Sequence, residues 1–251
     1  MSPPLDVRST VAMTWGHRHV AECAASQRYA RLADNLRRIY APEALIIRAD
    51  RAAQDESRHA ELCLTLAKSY GWTGDAVVLA EDSCTAPPQY EGHDAVLYEI
   101  VGFCCLSETL NAALMLATLE HTTVARIRDI VRQLLADEVK HGQLGWGMLQ
   151  WSLGQGRGEF LSEVLVQLLE SIGLHTLYSN RAEVAWSDEL TAHGELSRRR
   201  RQDIFVEAMH SVVFAGFEQA GITTDSTRSW LATFDPRFAS HLAQNSPAAS
   251  R

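Results

Sequence analysis

A chain of 251 residues, 46% hydrophobic and 22% charged, can bury a full core as one domain and has the composition of an ordinary soluble protein. Its net charge of −8 opposes general nucleic-acid binding, which needs a basic footprint. No unbroken apolar run reaches about 18 residues and no signal-peptide pattern precedes the first helix, so the expectation is a cytoplasmic protein without nucleic acid or membrane as partner.

Met1–Ser9, with Pro3 and Pro4, reads as a flexible leader. From about Val11 to Tyr40 the positions Trp15, Ala25, Tyr29, Leu32 and Leu36 recur at helical spacing. Pro42 suits a first helical turn and Gly71 a stop, which predicts a second helix over about Pro42–Tyr70. That helix is rich in alanine (Ala49, Ala52, Ala53, Ala60), which permits close packing or leaves room beside a site. Gly71–Gly92, with Pro87 and Pro88, is long enough for a crossover between two helical hairpins. A third helix is expected over about Asp94–Leu119, and a fourth from after Thr123 to about Leu153. Glu159–Ile172 and Glu195–Ala220 read as further helices, with a mixed stretch over Leu174–Gly194 between them. A short element near Thr227–Phe234 precedes a tail, Asn245–Arg251, expected to be disordered. The run Arg198–Arg201 opens a helix and reads as a solvated face. No segment alternates as a strand does. The five cysteines (Cys23, Cys63, Cys84, Cys104, Cys105) are odd in number and form no CxxC pair, which fits a reducing compartment.

Two stretches echo one another: Asp55-Glu56-Ser57-Arg58-His59 and Asp137-Glu138-Val139-Lys140-His141. Three residues turn an α-helix by roughly 300°, so each Glu and His share a face. Each motif also has a Glu on the preceding helix: Glu22 lies 34 residues before Glu56, and Glu108 lies 30 before Glu138. A helix, a turn and an antiparallel partner need about that spacing to bring two levels into register. Four carboxylates and two imidazoles converging in a core are costly without a compensating charge, which a pair of metal ions supplies. Oxygen-rich ligation with one nitrogen per ion suits iron or manganese. Glu56 and Glu138 are the natural bridges; Glu22 with His59 would complete one ion, and Glu108 with His141 the other. Asp55 and Asp137 point away from their neighbouring glutamates, toward the histidine of the opposite hairpin, whose free ring N–H each could accept. A third Glu-x-x-His, Glu207 and His210, has no matching upstream Glu and no preceding Asp.

At these residues the chain resembles the ferritin-like di-iron carboxylate superfamily, and within it the oxygen-activating members: multicomponent monooxygenases, the ribonucleotide reductase small subunit and arylamine N-oxygenases. The resemblance covers about Val11–Leu153 and implies an all-α, ferritin-like four-helix bundle of two hairpins, extended by C-terminal helices over about 159–234. Arg58 matches the arginine many of these oxygenases place before the histidine; Lys140 stands there in the second motif. Where the reductase subunit keeps its radical tyrosine, this chain has Cys63. Methane-monooxygenase-like enzymes have a threonine at the position of Ala112, and arylamine N-oxygenases a further histidine at that of Leu134. Tyr29, seven residues after Glu22, is similar to a bacterioferritin tyrosine that could donate an electron; a core tyrosine with a bonded hydroxyl fits as well. Cys104 and Cys105 lie within about a turn of Glu108 and read as small hydrophobes.

The resemblance implies a non-haem di-iron oxidoreductase that uses O2 to oxidise or hydroxylate a small organic substrate, as a monomer or homodimer. The chain carries no flavin or iron–sulfur motif, so an external electron donor or reductase is implied. A ferroxidase or iron-storage protein and a dimanganese catalase-type enzyme use the same ligand set. The C-terminal hundred residues are expected to cap the bundle beside an apolar pocket containing Ala49, Ala52, Ala53, Ala112 and Leu134.

Overall fold

A computed structural model describes residues 5–74, 85–172, 174–178 and 186–239, and among them every regular element is helical. Four long helices come first: α1 (Leu5–Arg38), α2 (Glu43–Ser69), α3 (Gly92–His121) and α4 (Ala125–Gly154). α1 packs along α2 and α3 along α4, while α2–α4 and α1–α3 contacts join the two hairpins. α5 (Leu161–Ser171), α6 (Leu174–Leu177), α7 (Asp188–Ala192), α8 (198–219) and α9 (Asp225–Leu231) follow, and a 3-10 turn, Pro236–Phe238, ends the described chain.

α1 begins earlier than the prolines suggest. Val7 and Val11 are buried one turn apart and continue the stripe to Trp15, while Asp6 places a negative charge in the first turn, where the helix dipole favours it. The leader reading therefore fails from Leu5 onward, and residues 1–4 lie outside the described chain. α1 ends with Ala41 N–H bonded to Leu36 O at 3.0 Å and Tyr40 N–H to Arg37 O at 3.1 Å. Tyr40 itself takes the left-handed φ of 54° that such an ending requires. The middle of the expected crossover (75–84, with Cys84), part of the mixed stretch (179–185) and the tail 245–251 lie outside the described residues.

α3 departs from regularity in a way the periodicity does not show. Val101–Glu108 is π-helical, and Glu108 is its last residue. Gly145 of α4 lies directly against this widened turn: a Cβ there would sit 2.6 Å from Cys104 Cβ and 2.8 Å from Cys105 N. The close approach requires glycine, and π-turns inside α-helices occur frequently at functional sites. Gly145→Ala is expected to destabilise the protein by about 1–3 kcal/mol through overpacking, read as a lower urea midpoint. An unchanged midpoint would mean that the two helices separate freely.

α3 is also long and apolar enough to cross a membrane by length and composition, but 61% of its apolar window is buried inside the protein, as in a core helix. One core cluster runs from Tyr29 and Leu36 through Ile100 and Leu106, Leu144 and Met148, to Leu165, Phe214 and Phe238. The C-terminal helices thus share the interior of the bundle. α5 packs on the π-helical part of α3, and α8 packs on the half of α3 that follows it. α8 starts at Arg198, because Ser197 Oγ caps it by accepting Arg200 N–H at 3.2 Å, and it too has a π-helical segment, Met209–Phe214.

Candidate metal centre

The four long helices bring the six expected donors together. One donor atom from each of Glu22, Glu56, His59 and Glu138 lies within 4.8 Å of the others, and the same holds for Glu56, Glu108, Glu138 and His141. Glu56 and Glu138 belong to both groups. All six residues are 5% exposed or less. Both rings turn Nδ1 inward: His59 Nδ1 lies 3.3 Å from Glu56 Oε2 and 3.9 Å from Glu138 Oε1. His141 Nδ1 lies 3.2 Å from Glu138 Oε2 and 2.9 Å from Glu56 Oε1.

Charge within the cluster is unbalanced. Burial, then the nearby charge of Glu56, pushes Glu22 well above the usual carboxylate range. Burial and the charges of Glu138 and Glu56 do the same to Glu108. Burial also opposes ionisation of Glu56, yet the adjacent imidazoles of His141 and His59 outweigh it and hold Glu56 at about 2. At His141 burial disfavours the cation, but Glu138 and Glu56 raise the ring to about 10. The cluster thus favours protons on Glu22, Glu108 and His141, where cations would otherwise serve. Glu56 Oε1 is fully buried, and its neighbour His141 Nδ1, 2.9 Å away, is too misaligned to satisfy it with a hydrogen bond. Orphaned carboxylate oxygen, inward nitrogens and shared glutamates are a donor set that fits two divalent ions.

The surrounding side chains hold this set from outside. Asp137 Oδ2 lies 3.4 Å from His59 Nε2, and Asp55 Oδ2 lies 3.7 Å from His141 Nε2, so each aspartate faces the histidine of the other hairpin. The second separation is too long for a hydrogen bond. Arg58 ties the two aspartates together, donating Nη1 to Asp55 Oδ1 at 2.8 Å and Nη2 to Asp137 Oδ2. Lys140 Nζ donates to Asp137 Oδ1 at 2.8 Å. Asp137→Asn is expected to weaken metal binding 10–100-fold while both ions still bind at saturation. Complete loss of one ion, seen by metal analysis, would make Asp137 a ligand instead.

Tyr29 is fully buried and donates Oη–H to Glu108 Oε1 at 3.1 Å, with Cys104 Sγ 3.6 Å from the hydroxyl. Burial raises the tyrosine well above its ordinary value. Cys63 is buried and its thiol is pushed up, first by burial and then by Glu22. Ala112 is half-buried, while Ala49 and Leu134, expected beside a pocket, are packed into the interior. A cleft of about 180 Å3 opens between α2 and α4, where Arg48, Arg51 and Lys140 stand around Ala52, one of the expected pocket residues, Asp55 and His141. Glu207 is exposed, and His210 faces Arg228 and the rings of Phe214 and Phe238, apart from the cluster.

Two contacts to the cluster come from residues not singled out by spacing. Asn111 Nδ2 donates to Glu138 Oε1 at 3.0 Å. Arg18 Nη1 lies 3.5 Å from Glu22 Oε1 and 3.4 Å from Asn111 Oδ1. An asparagine inside an apolar helix, one turn after Glu108, was the available signal, since helix interiors disfavour it unless its amide has a task. Against this geometry, no protein-family model, curated protein or solved structure matches the chain.

Proposed function

We propose that this protein is a non-haem di-iron oxidoreductase on a ferritin-like bundle, using O2 to oxidise or hydroxylate a small organic substrate. The observation that carries the reading is the pair of buried donor groups sharing Glu56 and Glu138. One nitrogen and several carboxylate oxygens per ion leave coordination positions open and suit a metal that changes oxidation state. A bound iron pair would supply the redox change that O2 activation requires.

The chain's own part is positioning and exclusion of water. Glu56 and Glu138, which belong to both donor groups, would hold either ion and so tie the two positions together. Arg58 ties the two aspartates together across the hairpin interface, which places Asp137 in hydrogen-bond reach of His59 Nε2 and Asp55 facing His141 Nε2. Tyr29 holds Glu108 through its hydroxyl. α5 and α8 pack over α3, which supplies Glu108 and Asn111, and so shield that side of the cluster from solvent. Electrons come from an external donor in this reading.

The test is anaerobic ferrous loading followed by O2, with metal analysis, optical spectroscopy and product analysis on candidate substrates. Two irons per chain and substrate-dependent O2 consumption support the reading; a chain that binds no iron defeats it. The Tyr29–Glu108 contact favours a second reading, an iron-oxidising storage protein. That alternative requires a large hollow assembly by light scattering and iron uptake far beyond two per chain. Equal or higher turnover of peroxide with manganese would point to the dimanganese class.

A further inference from the structure

The two halves of the cluster are alike in ligands and unlike in what surrounds them. On the Glu22–His59 side a guanidinium reaches the ligand carboxylate, with Arg18 Nη1 3.5 Å from Glu22 Oε1. The same group lies 3.4 Å from Asn111 Oδ1, and Asn111 in turn donates to Glu138 Oε1. That oxygen is the one nearer His59, at 3.9 Å from Nδ1. On the Glu108–His141 side the corresponding contact is the neutral hydroxyl of Tyr29.

The remaining charges do not cancel this difference. Arg58 touches Asp55 and Asp137 alike, and so serves both histidines. Lys140 bonds Asp137, behind His59, but it is exposed and also stands at the cleft beside His141, so it favours neither position. Arg48 and Arg51 stand beside the cleft behind His141, but both are exposed and water-screened. Among the contacts between described residues, the cation that reaches a ligand carboxylate is Arg18, whose side chain is 25% exposed. Glu195, a buried carboxylate just before α8, lies in the field of Arg18 and Arg201. It offsets part of the Arg18 charge from the C-terminal side.

We infer that the two metal positions are inequivalent: Arg18, braced by Asn111, makes the Glu22–His59 position the weaker one, filled second. A fixed cation repels a divalent ion and competes with it for Glu22 Oε1, whereas a phenol does neither. The inference rests on the metal-centre reading and adds an order of filling that the ligand set alone does not contain.

The test is anaerobic titration of the purified protein with Mn2+ alone, followed by calorimetry and by the electron paramagnetic resonance of free Mn2+. Wild type is expected to bind two ions in two steps whose affinities differ on the order of tenfold. Arg18→Gln should tighten the second step about fivefold or more and leave the first in place, while Arg18→Lys, which keeps the charge, should keep the steps apart. Glu22→Ala should remove the weaker step and Glu108→Ala the tighter one, an assignment that needs no change at Arg18. The inference is overturned by two equal steps in wild type, by an unmoved second step in Arg18→Gln, or by the reverse assignment of Glu22 and Glu108. Binding of no Mn2+ at all would defeat the metal-centre reading itself.

Discussion

Replacing Glu56 or Glu138 by alanine is expected to cost the protein both metal ions, whereas replacing Glu22 or Glu108 costs one. Glu56 and Glu138 each appear in both donor groups, and Glu22 and Glu108 in one apiece. Removing a shared carboxylate would take one ligand from each proposed ion and leave less negative charge between the two positions. Breaking a buried charge cluster by deleting one partner is strongly destabilising, about 3–5 kcal/mol, because the remaining charges stay uncompensated. Metal analysis after gel filtration reads the outcome. A Glu56→Ala or Glu138→Ala protein that keeps two tightly bound ions would refute the bridging assignment.

The second large effect is expected from metal removal, and it depends on pH. Glu22 and Glu108 have folded-state values raised above the ordinary 4.5 by burial and neighbouring carboxylates. Above pH 4.5 the unfolded chain releases these protons while the folded metal-free chain retains them, so folding loses stability as pH rises. His141, raised from 6.5 to about 10, contributes stability that is full below 6.5 and lost as pH rises through 10. Glu56, lowered to about 2, works the other way: its contribution is present above 4.5 and lost as pH falls through 2. The metal-free protein should therefore be most stable near pH 5 and weaken toward alkaline pH. Metal ions bind the deprotonated carboxylates and neutral imidazoles, so their stabilisation grows with pH. At a hundred times the dissociation constant each site adds about 2.7 kcal/mol. Thermal unfolding with Mn2+ against chelator should show a wider gap at pH 8 than at pH 5.5. A gap that narrows with pH would mean that the ions bind elsewhere.

That these six side chains meet was legible in the sequence because helical geometry converts spacing into direction. A Glu and a His three apart share a face, and hairpins of about thirty residues align their levels. The same rule does not say what that face meets. Glu207 and His210 have the same spacing, yet the histidine meets Arg228 and a ring cluster. The π-helical turn ending at Glu108 was hidden for a different reason. It sits against Gly145, on a helix about forty residues away in sequence, and no local pattern of α3 encodes that contact. Asn111 left a signal, a polar amide in an apolar helix one turn after Glu108, but Arg18 left none: an arginine on a helix surface is unremarkable until α1 and α3 are brought together. Of the residues expected around a pocket, Ala52 lines the cleft beside His141, among cations, while Ala49 and Leu134 are packed into the interior.

The most direct measurement is anomalous scattering at the iron edge from crystals of the anaerobically loaded protein. The expected result is two peaks about 3.5–4 Å apart, one between Glu22 and His59 and one between Glu108 and His141, with Glu56 and Glu138 touching both. A single peak, or ions bound away from these six side chains, would contradict the account.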